Sequence, residues 1–128
     1  MESVIPEGDQ ATYDDAHYAP GVIDGDRIFV SGVIGKDANG KVPDDPAEQF
    51  RQAWLGVEAV LKAAGAGLTD IVEMTTYHVD FHDHLKTFVE VKDSFIKEPY
   101  PAWTAVGTTE LALPGGLVEV RIHARLGD

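Results

Sequence analysis

Hydrophobic and polar positions alternate strictly near the end of the chain. Val118, Val120, Ile122, Ala124 and Leu126 fall on one side; Leu117, Glu119, Arg121, His123 and Arg125 fall on the other. Successive strand side chains point to opposite faces, so 117–126 reads as a strand with one greasy and one charged face. Two other stretches carry the helical period instead. Phe50, Trp54, Val57, Leu61 and Ala64 form one stripe, opened by Asp45 as N-cap, Pro46 at the first helical position and Glu48 three residues after the cap, and stopped by Gly65. Leu85, Phe88, the Lys92 stem, Phe95 and Ile96 form the second, with Asp80 as its expected cap and an end before Pro99.

The remaining apolar runs read as strands. They are Asp26 to Val33 after the Asp24-Gly25 turn, Asp70 to Val79 with its β-branched residues, and roughly 102–109. Pro114-Gly115-Gly116 marks a turn before the last strand, and Asn39-Gly40 marks another within 35–45. An extra strand is placed near Tyr13–Tyr18, and residues 1–12 are expected to be loosely ordered. The order is β, α, β, α, β, β. Two helices with one apolar stripe each must cover a sheet, and the greasy face of 118–126 is the receiver. This is an α+β two-layer sandwich, one domain over 1–128, with the far side of the sheet uncovered. Leu117 and Trp103 are expected on that uncovered side, where their burial would favour an oligomer.

Composition narrows the function classes. The net charge is -12, from 22 acidic against 10 basic residues, with no basic cluster to neutralise phosphates; no nucleic-acid partner is expected. No apolar run approaches the roughly 20 residues of a membrane span, and MESVIPEGDQ carries no Lys or Arg for a leader; no membrane partner and a cytoplasmic location are expected. Zero cysteines exclude a disulfide framework, a thiolate nucleophile and a cysteine-based zinc site. His78, His82 and His84 cross a strand–loop–helix boundary, which scatters their directions, and no HExxH pattern is present; no metal is expected. No phosphate loop or nucleophile elbow appears either, and no cofactor is expected.

Several segments together resemble the Rid family (RidA, also called YjgF) of enamine/imine deaminases. They are His17-Tyr18-Ala19-Pro20-Gly21, Ile28-Phe29-Val30-Ser31-Gly32, Ala64-Gly65-Ala66 with Leu68-Thr69-Asp70-Ile71-Val72, Pro101-Ala102, Leu113-Pro114-Gly115 and Val118-Glu119-Val120. The resemblance implies a chorismate mutase-like fold, a mixed sheet covered by two helices on one face. It also implies a homotrimer with active sites in intersubunit clefts, and a small-molecule substrate. Carried over residue by residue, it implies Glu119 as the catalytic acid/base, with Tyr18, Ser31 and Gly32 at the substrate. Three further positions that the resemblance places at the substrate depart from the family pattern. Trp103 stands where the family's carboxylate-gripping Arg follows Pro-Ala, Phe88 stands for an Asn on the second helix, and Val33 for a Gln after Ser-Gly. An indole cannot imitate an arginine fork, so the resemblance implies a non-archetypal subgroup with a non-standard substrate.

The residues leave alternatives at each of these positions. A carboxylate at Glu119 can orient the water that imine hydrolysis needs, or pair with Arg121 across one strand face. Tyr18 can bond a substrate or keep its hydroxyl in water. Trp103 can stack on a planar substrate or pack in a subunit interface. His123 shares the charged face with Glu119. Two functions follow: a Rid-like hydrolase deaminating an enamine or imine, or a non-catalytic small-molecule-binding trimer that uses the same cleft.

Overall fold

A computed structural model describes residues 1–127. The chain runs β1 (Glu2–Val4), α1 (Gln10–Ala16), β2 (Gly21–Asp24), β3 (Arg27–Val33), α2 (Pro46–Ala63), β4 (Ile71–Val79), α3 (Phe81–Phe95), β5 (Ala102–Thr108) and β6 (Val118–Arg125). The strands form one six-stranded sheet in the order β1-β2-β3-β6-β4-β5. It is mixed: β4 and β5 are parallel, and the other pairs are antiparallel. A parallel pair needs a crossover, and α3 supplies it. The last two strands, consecutive in sequence, are therefore not neighbours; β4 lies between them.

Both long helices cover one face of this sheet. Phe50, Trp54, Val57 and Leu61 of α2 and Phe88 of α3 are fully buried in one cluster with Val118, Val120 and Ile122. Phe50 meets Phe88 edge to face at 5.5 Å, a favoured aromatic geometry. The α2 start agrees with the sequence: the Asp45 carboxylate accepts from the Glu48 backbone N–H at 3.0 Å. The stop agrees too. Gly65, with φ +85, takes the left-handed conformation that glycine reaches without a Cβ clash.

Four expectations are corrected. The Tyr13–Tyr18 segment is not a strand: 10–16 is helical, and only Tyr18 and its neighbours extend away. The N-terminus is ordered, because Glu2–Val4 pairs with β2. Asp80 stands at the α3 N-terminus with φ 51 and ψ 49, and its side chain makes no cap bond. Leu117 and Trp103 are not on the uncovered face. Leu117 packs against the core, and Trp103 lies in register beside Met74, whose side chain is buried under the helices.

One buried polar residue ties the site's loop to the helix layer. Gln49, 1% exposed, donates to the carbonyls of Pro43 and Gly115 at 3.2 and 3.0 Å and accepts from the Leu117 N–H at 2.6 Å. The 113–117 turn is thereby pinned to α2 just before β6 begins. Gln49→Leu keeps the bulk and orphans three backbone groups, so it should cost about 2 kcal/mol. Urea unfolding measures this; a variant as stable as the parent would show that water replaces the amide.

Candidate active site

The open end of β3 is where the elements converge. β3 and β6 pair regularly up to Val30 and resume at Val33, leaving Ser31 and Gly32 in a bulge. Bulges re-aim side chains beside functional sites. Here the bulge turns Ser31 toward the preceding loop. Its hydroxyl donates to the Ala19 carbonyl at 2.7 Å, and its N–H donates to the Pro20 carbonyl at 2.9 Å. That double tie fixes the segment after α1, whose last turn is closed by His17 in the left-handed conformation. Tyr18 is thus carried out on a short, anchored arm, half exposed.

Gly32 has a different task. A Cβ there would overlap the Glu119 carboxylate, so the glycine lets that carboxylate lie against the β3 backbone. Glu119 is half-buried, on the uncovered face of β6, opposite Tyr77 on β4. It makes no ion pair with Arg121; the ion pairs among the described residues are elsewhere.

A cavity of about 450 Å³ gathers Tyr18, Ser31, Gly32, Val33 and Glu119, closed by Leu55 and Gly56 of α2 and by Leu113. That size suits a small metabolite. A second, more open cavity of about 510 Å³ adjoins it; Glu119 and Ala112 line both, and Tyr77, Thr108 and Arg121 line the second. Five of the seven sequence-derived positions therefore meet in one place.

Phe88 and Trp103 do not join them. Phe88 is fully buried between α2 and the sheet, so in this chain it offers no surface to a ligand, a correction to its expected place at the substrate. Its ring lies 6.1 Å from that of Trp103, so the two departures from the family pattern touch each other. The Trp103 indole N–H donates to Thr76 Oγ1 at 2.9 Å, and Lys92 Nζ sits over its ring at 4.9 Å. Thr76 also bonds His78 Nε2, at 2.7 Å. A hydroxyl has one proton and two lone pairs, so Thr76 Oγ1 can accept from the indole and still bond the His78 ring in either neutral tautomer. Burial lowers the His78 pKa to about 4.

The histidines stay apart. His78 packs between Phe81 and Phe88 in the core, whereas His82 is exposed. Among the described residues no group of three or more His, Asp or Glu converges as metal ligands would. His123 contacts Glu73 at 3.5 Å and Phe29 edge-on at 4.9 Å. Four residues along a strand, roughly 13 Å, separate it from Glu119, so the two do not act on one small molecule within this chain.

Sequence reading missed Gln49 and the Thr76–His78–Trp103 chain. Both had a signal. Gln49 immediately precedes Phe50 on the buried side of α2, and Thr76 and His78 follow Met74 at the core-facing positions of β4.

Comparison with known proteins adds the following. The family model described as endoribonuclease L-PSP matches residues 9–126. A RutC family protein, YjgH of Escherichia coli K12, is 36% identical over 127 residues, covering 98% of this chain and 95% of its own length. The 2-iminobutanoate/2-iminopropanoate deaminase of Bos taurus is 34% identical over 113 residues, covering 86% of this chain and 80% of its own. The solved structure of a protein YjgH matches with a TM-score of 0.89 at 35% identity, over 98% of this chain and 96% of the other.

Proposed function

Because this chain belongs to the YjgF/RidA (endoribonuclease L-PSP) family, we propose that it hydrolyses the C=N bond of a small imine, or of an enamine through its imine tautomer, in the cleft around Glu119. The observation that carries this reading is the Glu119 carboxylate laid against Gly32 in a cavity closed by Tyr18. Glu119 takes a proton from a water, whose oxygen adds to the imine carbon while the nitrogen gains a proton. The carbinolamine then collapses: its hydroxyl proton leaves, the nitrogen departs as ammonia, and a ketone or aldehyde remains. Imine and water are converted to carbonyl and ammonia, with no redox change. Tyr18 and the Ser31–Gly32 backbone hold the substrate. Relatives named 2-iminobutanoate/2-iminopropanoate deaminase support this class of reaction. The substrate is not gripped at position 103, where the indole is already bonded to Thr76.

The assembly is a homotrimer whose clefts lie between subunits. The uncovered sheet face, with Phe29 and Val106 39% and 38% exposed, supports this. No helix among the described residues is long and apolar enough to cross a membrane. A second reading, a binder without turnover, is favoured by the aromatic packing of Phe88 on Trp103 in place of the family's polar pair.

The test is ammonia and keto-product release from imines generated in situ. Gly32→Ala sharpens it. The three atoms nearest the added methyl all belong to the Glu119 side chain, a flexible partner, so stability should hold while kcat/KM falls about tenfold or more as the carboxylate is pushed off its seat. Ligand-induced thermal stabilisation without ammonia release would leave the binder reading in possession of the cleft. Sedimentation equilibrium at other than three times the 13.8 kDa chain mass would count against the trimer.

A further inference from the structure

The chain has four arginines. Three hold carboxylates: Arg27 and Arg125 face Asp26 at 3.8 and 3.3 Å, and Arg51 faces Glu48 at 3.1 Å. Arg121 alone has no ion pair among the described residues, and it is exposed. It stands two residues beyond Glu119 on the same face of β6, with Tyr77 and Thr75 opposite the pair on β4. We propose that Arg121 is the anion-binding residue of this cleft, gripping the carboxylate of an α-imino acid whose C=N carbon is presented to Glu119. The proposal rests on the deaminase reading for its chemistry, and on three observations for its place.

The first is continuity. Glu119 lines both cavities, and Arg121 lines the second, so a molecule that reaches from one to the other passes the carboxylate and ends at the guanidinium. The second is length. Two strand residues span about 7 Å, room for one small molecule between the side chains. In an α-imino acid the carboxyl carbon is bonded directly to the imine carbon, so an anchor at Arg121 fixes the reacting atom at Glu119. The third is charge. An anionic substrate entering beside Glu119 in a chain of net charge -12 needs a local cation. The cavities offer two, Lys36 and Arg121. Arg121 is on a strand with a planar fork that fits a carboxylate at two points, while Lys36 is a mobile point charge on the loop after β3. Glu110 lines the same cavity and makes no ion pair with Arg121.

The experiment compares the parent with Arg121→Gln, Arg121→Lys and Lys36→Gln. Binding of 2-oxobutanoate and of its neutral amide is measured by calorimetry, and turnover with 2-iminobutanoate generated in situ. Arg121→Gln should weaken keto-acid binding and lower kcat/KM about tenfold or more, and leave the amide unaffected. Arg121→Lys should recover part of the loss, and Lys36→Gln should behave as the parent. The proposal is overturned if Arg121→Gln binds the keto acid as the parent does, if Lys36→Gln carries the loss, if the amide loses as much, or if the parent binds no keto acid. Arg121-dependent keto-acid binding without ammonia release from any imine would sink the deaminase reading and leave the anion site standing.

Discussion

Glu119→Gln should lower kcat/KM for imine hydrolysis by at least about a hundredfold while leaving the fold and the assembly unchanged. The amide keeps the size and one acceptor oxygen of the carboxylate, but it cannot take a proton from water. A positioned proton-transfer group contributes about 10²–10⁴-fold, which sets the expected range. Folding is spared because the carboxylate has no ion pair among the described residues to lose. Unfolding midpoints and sedimentation would check that, alongside ammonia release. Glu119→Gln turning over every imine at the parent rate would show that water is activated without this group. Loss of activity with loss of the assembly would instead mean that Glu119 seats a neighbouring subunit.

Stability should fall as pH drops from about 6.5 to about 4, through His78. In the unfolded chain the ring titrates near its ordinary value of 6.5; in the folded chain burial holds it at about 4. Above pH 6.5 the ring is neutral in both states and contributes no pH dependence. Below it the unfolded chain binds a proton that the folded chain refuses, so stability is lost at about 1.4 kcal/mol per pH unit until the folded pKa is reached. At pH 4.5 the loss from this one group is about 2–3 kcal/mol. The groups packed on the ring are Phe81 and Phe88, neither of which can compensate a charge. Urea unfolding at pH 7.5 and 4.5 should show the parent losing about 2–3 kcal/mol more than His78→Gln, since the acidic residues titrate in both chains. Equal losses would mean that the ring is hydrated or protonated in the folded state.

Much of the layer structure was legible because amphipathic periodicity reports which side of an element is dry. The 118–126 alternation gave the core face of β6, and the stripe from Phe50 to Leu61 gave the buried side of α2. Asp45, Glu48 and Gly65 act locally, within one turn of the helix they start or stop, and so their roles are written in the sequence near them. The short strands β1 and β2 were less legible. Three and four residues carry too little pattern to be told from loop, and the polar, Tyr-containing stretch between them reads as strand although it forms α1.

The candidate site divides in the same way. Motif spacing named Tyr18, Ser31, Gly32, Val33 and Glu119, and the fold brings these five to one cavity. It did not show that Ser31 is spent on Ala19, or that Gly32 exists for the Glu119 carboxylate rather than for a turn. Nor did it place Trp103, because the face of β5 is set by its parallel register with β4 across a helical crossover. By itself, then, the sequence determined the long elements, their buried stripes and the carboxylate proposed for the chemistry. These follow from local periodicity, capping and residue chemistry. Only the tertiary structure decided that Phe88 and Trp103 pack away from that carboxylate and that Arg121 is left without a partner beside it. Such facts depend on which strands become neighbours and in what register, and residues far apart in the chain do not announce that.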